Sequence, residues 1–256
     1  MLSKNQLKLI KSLRLQKYRQ EEILFVAEGV KLVDELLKSD FGIQQIFATS
    51  EWIAAGHLPQ NRYLVEIVEI TQAELERISL LSTPNQVLAL AQIPPSIKLP
   101  EIKGEWVLAL DQIRDPGNLG TIIRTADWFG IDRIVAANNS VDVWNPKVVQ
   151  ASMGSVFRMP VHYTDLELFL AENYKEVAVY GTLLEGISLP DIKLKPGGIV
   201  VIGNESRGIS DQLIPYIASK ITIPAAGSAE SGHAESLNAS IATAIICYEI
   251  RRQYPG

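Results

Sequence analysis

The first part of the chain alternates between helix-like and strand-like patterns of apolar residues. Residues 28–38 carry apolar side chains at three- and four-residue spacings, which predicts an amphipathic helix. Thr71 followed by Glu74 is a capping-box pattern, which predicts that a short helix begins there. Together these elements predict a small α/β domain over residues 1–95. Its strands are predicted from short apolar runs at residues 45–48, 63–68 and 87–91.

The apolar runs become more uniform beyond a proline-rich stretch. The segment IPPSIKLP, residues 93–100, is typical of a stiff connection, and we place a linker at residues 96–103. Strands that are apolar throughout, alternating with helices, predict a parallel sheet covered on both faces for residues 104–256. The strands are predicted at residues 106–110, 133–136, 177–180, 199–202 and 220–223, and the helices at residues 119–129, 166–173, 211–217 and 237–252.

Composition sets the class of protein. The chain has 256 residues, of which 47% are hydrophobic and 21% charged, enough for a core and for one or two domains. No run of about 18 apolar residues occurs, so a membrane span is not expected. Lysines and arginines interrupt every apolar run of the first 20 residues, which disfavours a signal peptide and favours a cytoplasmic location.

Cysteine usage disfavours two further kinds of site. Cys247 is the single cysteine of the sequence, so neither a disulfide framework nor a thiolate cluster for zinc is available, and we expect no bound metal. Cys247 lies in an apolar helical run, where a buried structural thiol is expected rather than a nucleophile.

Charge is unevenly distributed. The net charge of −5 is unfavourable for contact with phosphates, but every charged residue before Glu21 is basic. Several of these residues share one predicted helix face, which is either a solvated surface or a surface that contacts phosphate. The basic residues are Lys4, Lys8, Lys11, Arg14, Lys17 and Arg19.

Ligands in open parallel sheets bind beyond the carboxyl ends of the strands, and three segments after predicted strands carry candidate chemistry. The first follows the strand at 106–110 and passes through a Pro-Gly turn, after which Asn118 is placed to cap the next helix. The alternative for Asn118 is a role in a site. Arg124 lies in that helix among apolar or small residues, so we expect it to be buried with a polar partner.

The second segment runs from Gly203 to Gly208 after the strand at 199–202. Its glycine spacing is similar to that of a phosphate-binding loop, but the Lys-Ser/Thr pair of such loops is missing, and no GxGxxG occurs in the chain. Nucleoside triphosphate and dinucleotide binding are therefore disfavoured. Glu205, directly after a buried strand, is either a turn residue or a functional one.

The third segment begins at Ile223-Pro224 and leads into the last predicted helix. Ser236 or Asn238 is placed to cap that helix, and as isolated residues this is their simplest role.

The three segments together resemble the ordered motifs of the SpoU, or TrmH-like, RNA 2′-O-ribose methyltransferases of the SPOUT superfamily, over about residues 104–252. The N-terminal part resembles the substrate-binding domain, similar to ribosomal protein L30e, that often precedes that catalytic domain. The catalytic motifs are Asn118-x-Gly120-x-x-x-Arg124, Gly203-Asn204-Glu205-x-x-Gly208, and Ile223-Pro224 followed by Ser236-Leu237-Asn238-x-Ser240. The N-terminal patterns are Phe25-x-x-Glu28-Gly29-x-Lys31-x-Val33 and Ser82-Thr83-Pro84-x-Gln86.

This resemblance implies a trefoil knot in the C-terminal domain, S-adenosylmethionine as cofactor, and a homodimer whose site is completed across the interface. Arg124 would position phosphate and stabilise charge, with the proton acceptor left open, because arginine is a poor base. The residues that would orient Arg124, ribose and cofactor are Asn118, Glu205, Ser236 and Asn238. The cofactor residues would be Thr182, Gly203, Glu205, Ile223 and Leu237, and the RNA-binding residues Lys4, Lys8, Lys11, Arg14, Lys31 and Arg124.

The expected function is therefore methylation of a ribose 2′-hydroxyl, with 23S ribosomal RNA the favoured substrate. A transfer RNA substrate and a catalytically inactive RNA-binding or ribosome-assembly factor are the alternatives. The loop at residues 225–235 is longer than the family pattern, and we treat His233 as an ordinary loop residue. No short motif specifies which nucleotide is modified.

Overall fold

The computed structural model describes residues 1–57, 65–95, 99, 101–226 and 234–255, which fall into two compact units. The first unit comprises Met1–Ser96 and Asp142–Arg158, and the second comprises Ile97–Val141 and Met159–Gly256. Residues 142–158 thus belong to the first unit, although the sequence places them within the C-terminal domain. Residues 63–64 of a predicted strand, four residues of the predicted linker, and residues 227–233, including His233, lie outside the described residues.

Helices and strands alternate along both units. The helices are α1 (Lys4–Ser12), α2 (Gln16–Glu22), α3 (Val30–Lys38), α4 (Ser50–Ala54), α5 (Gln72–Ile78), α6 (Pro116–Phe129), α7 (Pro146–Ser152), α8 (Leu166–Asn173) and α9 (Ala239–Gln253), with 3-10 helices at Ser155–Phe157 and Asp211–Tyr216. The strands are β1 (Leu24–Glu28), β2 (Ile43–Ala48), β3 (Glu66–Glu69), β4 (Val87–Gln92), β5 (Trp106–Leu110), β6 (Arg133–Ala137), β7 (Val161–Thr164), β8 (Val179–Ser188), β9 (Gly198–Ile202) and β10 (Ser219–Thr222).

The first unit is built on a four-stranded mixed sheet with the strand order β1-β4-β2-β3. β4 runs antiparallel to β1 and β2, whereas β2 and β3 are parallel. Residues of β1, β2 and β4 share a core cluster with α1 and α5, including Ile10, Phe47 and Leu75. The predicted capping box at Thr71 and Glu74 is present at the start of α5. The small α/β fold predicted for this part of the chain is confirmed.

Residues 142–158 are anchored in the first unit by aromatic and ionic contacts. Trp144 stacks on Phe25 with ring centroids 4.5 Å apart, and Phe157 meets Phe41 edge-on at 5.4 Å. The buried guanidinium of Arg19 donates from Nε to the Asp142 carboxylate over 2.9 Å. A buried charge is costly unless it is paired, so this ion pair favours one position of the segment.

The second unit is built on a six-stranded parallel sheet with the order β10-β8-β9-β5-β6-β7. β5 and β9 are buried along their whole lengths, as expected for strands covered on both faces. The predicted parallel sheet is therefore confirmed. Since the strands are parallel, the segments that follow β5, β9 and β10 lie at one edge of the sheet, where ligands of such folds bind.

One predicted helix differs in type. Residues 211–217 carry a helical pattern, and Asp211–Tyr216 form a 3-10 helix, not an α-helix, with Pro215 inside it. Proline lacks the N–H that an α-helix interior requires and clashes with the preceding turn, so the shorter, tighter form is favoured. In the part of the chain that the structure describes, no helix has the length and apolarity needed to cross a membrane.

Candidate active site

The start of α6 is capped by Asp115. The Asp115 carboxylate accepts a hydrogen bond from the backbone N–H of Asn118 over 2.8 Å, and Pro116 occupies the first turn. The prediction that Asn118 caps this helix was therefore wrong. Proline is favoured at the first helical position, where its missing N–H costs no hydrogen bond, so the helix begins before Asn118. The Asn118 side chain is then available for contacts elsewhere, and the residue is only 9% exposed.

Asn118 joins the three predicted segments through its side chain. Its amide nitrogen donates to Glu205 Oε1 over 2.6 Å, and its amide oxygen accepts from Asn238 Nδ2 over 2.9 Å. These residues stand in α6, in the loop after β9 and at the start of α9. The sequence therefore predicted correctly that the three segments meet. An unpaired amide at this depth would cost about 1–3 kcal/mol, so the contacts stabilise the meeting point.

The chemistry of the three groups fixes the direction of this hydrogen-bond chain. A carboxylate accepts hydrogen bonds, so Asn118 must present its NH2 to Glu205 and its oxygen to Asn238. Asn238 then presents its own oxygen to the start of α9, where it accepts from Ser240 N over 2.9 Å. Asn238 is thus the N-cap of α9, as one of the two predicted alternatives had it.

The loop after β9 is a tight backbone turn. A Cβ at Gly203 would lie 2.4 Å from the carbonyl carbon of Gly208, so only glycine fits at this position. Asn204 and Gly208 exchange two backbone hydrogen bonds of 2.9 Å each. The Asn204 side chain accepts from Ser206 N over 3.0 Å and donates to the carbonyl of Gln112 over 2.8 Å. Glu205 is therefore presented from a loop whose backbone is pinned on both sides.

Sequence reasoning gave no role to three residues that pin the same loops. Buried Asp111 accepts from Ser210 N over 2.7 Å, and Gln112 Nε2 donates to the Ser210 hydroxyl over 3.2 Å. Gln112 also has a φ of 55°, a left-handed conformation uncommon for a residue other than glycine. The available signal was an aspartate directly after a buried strand, the same signal that pointed to Glu205.

The predicted cofactor residues lie at one edge of the parallel sheet. Gly203 and Ile223 directly follow β9 and β10, and Thr182 lies in β8, just after the part of that strand that pairs with β9. The Thr182 hydroxyl donates to the carbonyl of Val201 over 2.9 Å, so it is engaged within the sheet. Ile223 is half-buried and Leu237 is 48% exposed. Accessible apolar side chains of this kind suit the faces of a planar ring, which need apolar contact.

Arg124 takes no part in this hydrogen-bond network. It is exposed and forms no hydrogen bond or ion pair with any residue that the structure describes. The expectation that Arg124 is buried was therefore wrong for the single chain, whereas a partner for it across a homodimer interface stays a prediction. The buried face of α6 is formed by residues such as Ile122 and Ile123, whereas Arg124 shares the exposed face with Trp128, one turn further on. Ser236 is also exposed and has no hydrogen bond within the described residues.

The predicted RNA-binding residues of the first unit lie on its surface. Lys4, Lys8 and Lys11 are exposed on α1 at spacings that place them on one side of the helix. Lys31 is exposed in the first turn of α3. Arg14 is partly committed to the fold, since it donates to the carbonyl of Ser79 over 3.0 Å.

Cys247 is buried in α9, as predicted. Burial raises the pKa of its thiol to about 12, which disfavours the reactive thiolate. Among residues 1–57, 65–95, 99, 101–226 and 234–255, no cluster of three or more histidine, cysteine, aspartate or glutamate side chains could hold a metal ion.

The chain matches known proteins along its length. The SpoU rRNA Methylase family matches residues 105–248, and the MRM3-like substrate binding domain matches residues 4–89. A 23S rRNA (guanosine(2553)-2′-O)-methyltransferase of Bacillus subtilis (strain 168) is 32% identical over 243 residues, with 94% of each chain covered. A solved TrmH-family structure from Porphyromonas gingivalis is 40% identical, with 99% of each chain covered and a TM-score of 0.84. An AdoMet-bound rRNA methyltransferase from Sinorhizobium meliloti is 31% identical, with 100% of this chain and 97% of that one covered and a TM-score of 0.84. The chain therefore belongs to the SpoU rRNA methylase family and is an RNA methyltransferase.

Proposed function

We propose that this protein transfers a methyl group from S-adenosylmethionine to a ribose 2′-hydroxyl of 23S ribosomal RNA. The observation that carries the proposal is the hydrogen-bond chain from Asn238 through Asn118 to Glu205, which joins the three segments at the carboxyl edge of the parallel sheet. The similarity to a Bacillus subtilis 23S rRNA 2′-O-methyltransferase over 94% of the chain supports this choice of substrate and atom. An rRNA substrate also agrees with the cytoplasmic location that the sequence predicts.

The cofactor would be held at the ends of β8, β9 and β10. Gly203 allows the backbone to approach a ligand closely, and Ile223 and Leu237 offer apolar surface for the adenine ring. Thr182 contributes through its position beside Val201, since its hydroxyl is already engaged. Glu205 uses Oε1 for Asn118, which leaves Oε2 to accept a hydrogen bond from the cofactor or from ribose.

Bound S-adenosylmethionine supplies a methyl group activated by a sulfonium. The chain must place the 2′-oxygen in line with that methyl group and lower the cost of removing the hydroxyl proton. We assign phosphate positioning and stabilisation of the developing negative charge to Arg124, because its guanidinium stays protonated and donates several hydrogen bonds. Asn118 and Asn238 are positioning residues for Glu205, and Ser236 is placed to orient ribose. The proton acceptor is left open.

Arg124 would act across a homodimer interface. It lies on the exposed face of α6 beside Trp128, which is 83% exposed, and α6 packs on α9. α9 in turn exposes Ile241 and Tyr248, which are two helical turns apart on one face. Several large apolar side chains on two adjoining helices are typical of a protein–protein interface. In such a dimer Arg124 would complete the site of the partner subunit, which explains its lack of a described partner in its own chain.

The first unit would bind the RNA. Its match to a substrate binding domain covers residues 4–89, and the exposed face of α1 carries Lys4, Lys8 and Lys11. Arg14 and Lys31 would add positive charge on the same unit. Contacts of this kind supply affinity and position without reading sequence.

The test has two parts. Calorimetry should detect binding of S-adenosylmethionine and of S-adenosylhomocysteine to the purified protein. Protein-free 23S rRNA from a strain that lacks the gene should then accept a radioactive methyl group, and the modified position should resist alkaline cleavage. Alkaline cleavage needs a free 2′-hydroxyl as nucleophile, so resistance distinguishes ribose methylation from base methylation.

The alternatives give different results in the same assays. Methyl transfer to tRNA and not to 23S rRNA would show that tRNA is the substrate, while the proposed reaction would stand. Absence of cofactor binding would contradict the proposed enzymatic activity and favour an RNA-binding or ribosome-assembly factor. Methylated RNA that alkali cleaves at every position would contradict the 2′-hydroxyl as acceptor.

A further inference from the structure

A small cavity of about 230 Å³ lies within the first unit. Its walls come from β1, from the turn after α5 and from α7. The α7 wall is contributed by residues 146–151, outside the range of the substrate-binding-domain match, so the cavity is formed only when residues 142–158 fold with the N-terminal segment.

The cavity is apolar on its walls and polar at a few points. Leu80, Leu81 and Ala151 contribute carbon surface, and each is partly exposed to solvent. The polar residues that line it are Gln150, the exposed Lys147 and the buried Glu28. Apolar walls with few polar groups are the usual composition of a ligand site, where the polar groups fix orientation.

The wall formed by Leu80 and Leu81 is held in place by buried and partly buried hydrogen bonds. Glu28 accepts from the Ser79 hydroxyl and, over 2.8 Å, from the backbone N–H of Leu80. The Ser79 hydroxyl oxygen also accepts from Leu81 N over 3.0 Å, while Arg14 donates to the Ser79 carbonyl. A turn fixed by this many contacts is preorganised, which lowers the entropic cost of binding against it.

We infer that this cavity binds one unstacked nucleobase of the substrate RNA. The inference rests on the proposed function, because an RNA substrate supplies the base. A planar base has two apolar faces and a polar edge, which match the leucine and alanine walls and the Gln150 amide. Sequence-specific recognition of RNA mainly uses bases that are splayed out of single-stranded loops. The volume lies below the range of about 300–1,000 Å³ for drug-sized ligands, so a single ring system fits better than a whole nucleotide cofactor. Lys147 would contact the adjoining phosphate.

Two variants of the cavity test the inference through RNA binding measured without cofactor. Ala151→Leu fills the cavity, and we expect it to weaken binding of protein-free 23S rRNA about tenfold, because one splayed base would lose its binding site. The salt dependence should stay unchanged, because no charge is removed. Gln150→Met keeps the side-chain length and removes the amide, and should weaken binding several-fold. Lys147→Ala should instead reduce the slope of log affinity against log salt by about one.

The matched control is Ala54→Leu, which makes the same change at an exposed helical position of the first unit outside the cavity. It should bind RNA like the wild type. Circular dichroism checks the fold of each variant. If Ala151→Leu does not fold, the RNA affinity of Gln150→Met decides the test. If the folded cavity variants bind RNA with the same affinity as the wild type, the inference is overturned. Failure of the wild type to bind S-adenosylmethionine would instead contradict the proposed function and leave this RNA-binding result intact.

Discussion

Asn118 and Glu205, 87 positions apart in the chain, are joined by a 2.6 Å hydrogen bond from an amide nitrogen to a carboxylate oxygen. The bond connects the first turn of α6 to the pinned loop after β9. Because the other end of the same amide accepts from Asn238, a change at Asn118 removes both its contact with Glu205 and its contact with Asn238. The network is therefore expected to act as a unit.

Replacement of Asn118 tests this unity. Asn118→Ala should lower the rate of methyl transfer about a hundredfold, because loops that are slightly displaced lose the alignment of the reacting groups. In the Asn118→Ala background, Glu205→Ala should lower the rate of methyl transfer much less than it does in the wild-type protein, because the two residues share one interaction. Single-turnover rates of the two variants and of the double variant measure this coupling. Asn173→Ala, which removes an amide bonded to the carbonyl of Phe169 in α8, is the control. Additive losses would contradict the network.

Arg124 should separate chemistry from cofactor binding. Arg124→Ala is expected to abolish methyl transfer while calorimetry shows nearly unchanged affinity for S-adenosylmethionine, because the side chain has no described contact with the loops after β8, β9 or β10. Arg124→Lys should show little more methyl-transfer activity than Arg124→Ala, because a lysine cannot reproduce the planar set of hydrogen-bond donors of a guanidinium. Lys103→Ala, at another exposed cation of the second unit, should leave both quantities unchanged. Loss of cofactor binding in Arg124→Ala would indicate a structural role.

The exposed face of α6 and α9 should determine the oligomeric state. Trp128→Glu and Tyr248→Glu each place a charge in the proposed interface, and sedimentation should show a shift from dimer to monomer together with loss of transfer. Leu168→Glu makes the same change at an equally exposed apolar residue on α8, and should remain dimeric. A wild-type protein that sediments as a monomer would refute the shared site.

The basic face of α1 should be visible in the salt dependence of RNA binding. Combined Lys8→Glu and Lys11→Glu should weaken binding and flatten the plot of log affinity against log salt, by about 0.7 to 0.9 per lost phosphate contact. Lys103→Glu changes charge at an exposed site of the second unit and should have a smaller effect. An unchanged slope in the α1 variant would support a solvated helix face.

Cys247 should be chemically silent in the native protein. With a pKa of about 12 the thiol is protonated near neutral pH, so iodoacetamide should label it only after unfolding. The raised pKa also predicts how the stability of the protein changes with pH. Below the ordinary thiol value of 9.0 both states hold the proton, whereas between about 9 and about 12 only the unfolded state loses it, and the free energy of unfolding falls. Cys247→Ala should lack this alkaline loss, and rapid labelling of the folded protein would contradict the burial.

The sequence predicted the elements whose signal is local. The apolar runs at residues 106–110 and 199–202 became β5 and β9 because a strand buried on both faces needs no polar position. β7 gave no such signal, since its four residues are all half-buried at the end of the sheet. The short run of β1 could not be assigned to a strand or a helix by pattern alone.

The site was predictable as a set of loops and unpredictable in its contacts. Asn118, Glu205 and Asn238 were placed together because parallel strands end at one edge. The cap at Asp115 and the exposure of Arg124 depend on where α6 begins and which face packs, which only tertiary contacts decide. The trefoil knot and the individual roles of the cofactor residues stay predictions.

The assignment of residues 142–158 to the first unit limits how this chain can be divided. The polypeptide passes from one unit to the other at three places: 96/97, 141/142 and 158/159. A fragment that ends near residue 95 would leave Phe25 without Trp144 and Arg19 without Asp142. The substrate-binding half is thus a discontinuous module. Exchanging it between relatives would require two segments to be transplanted together, so specificity in this architecture is expected to evolve by substitution within the chain more readily than by domain shuffling.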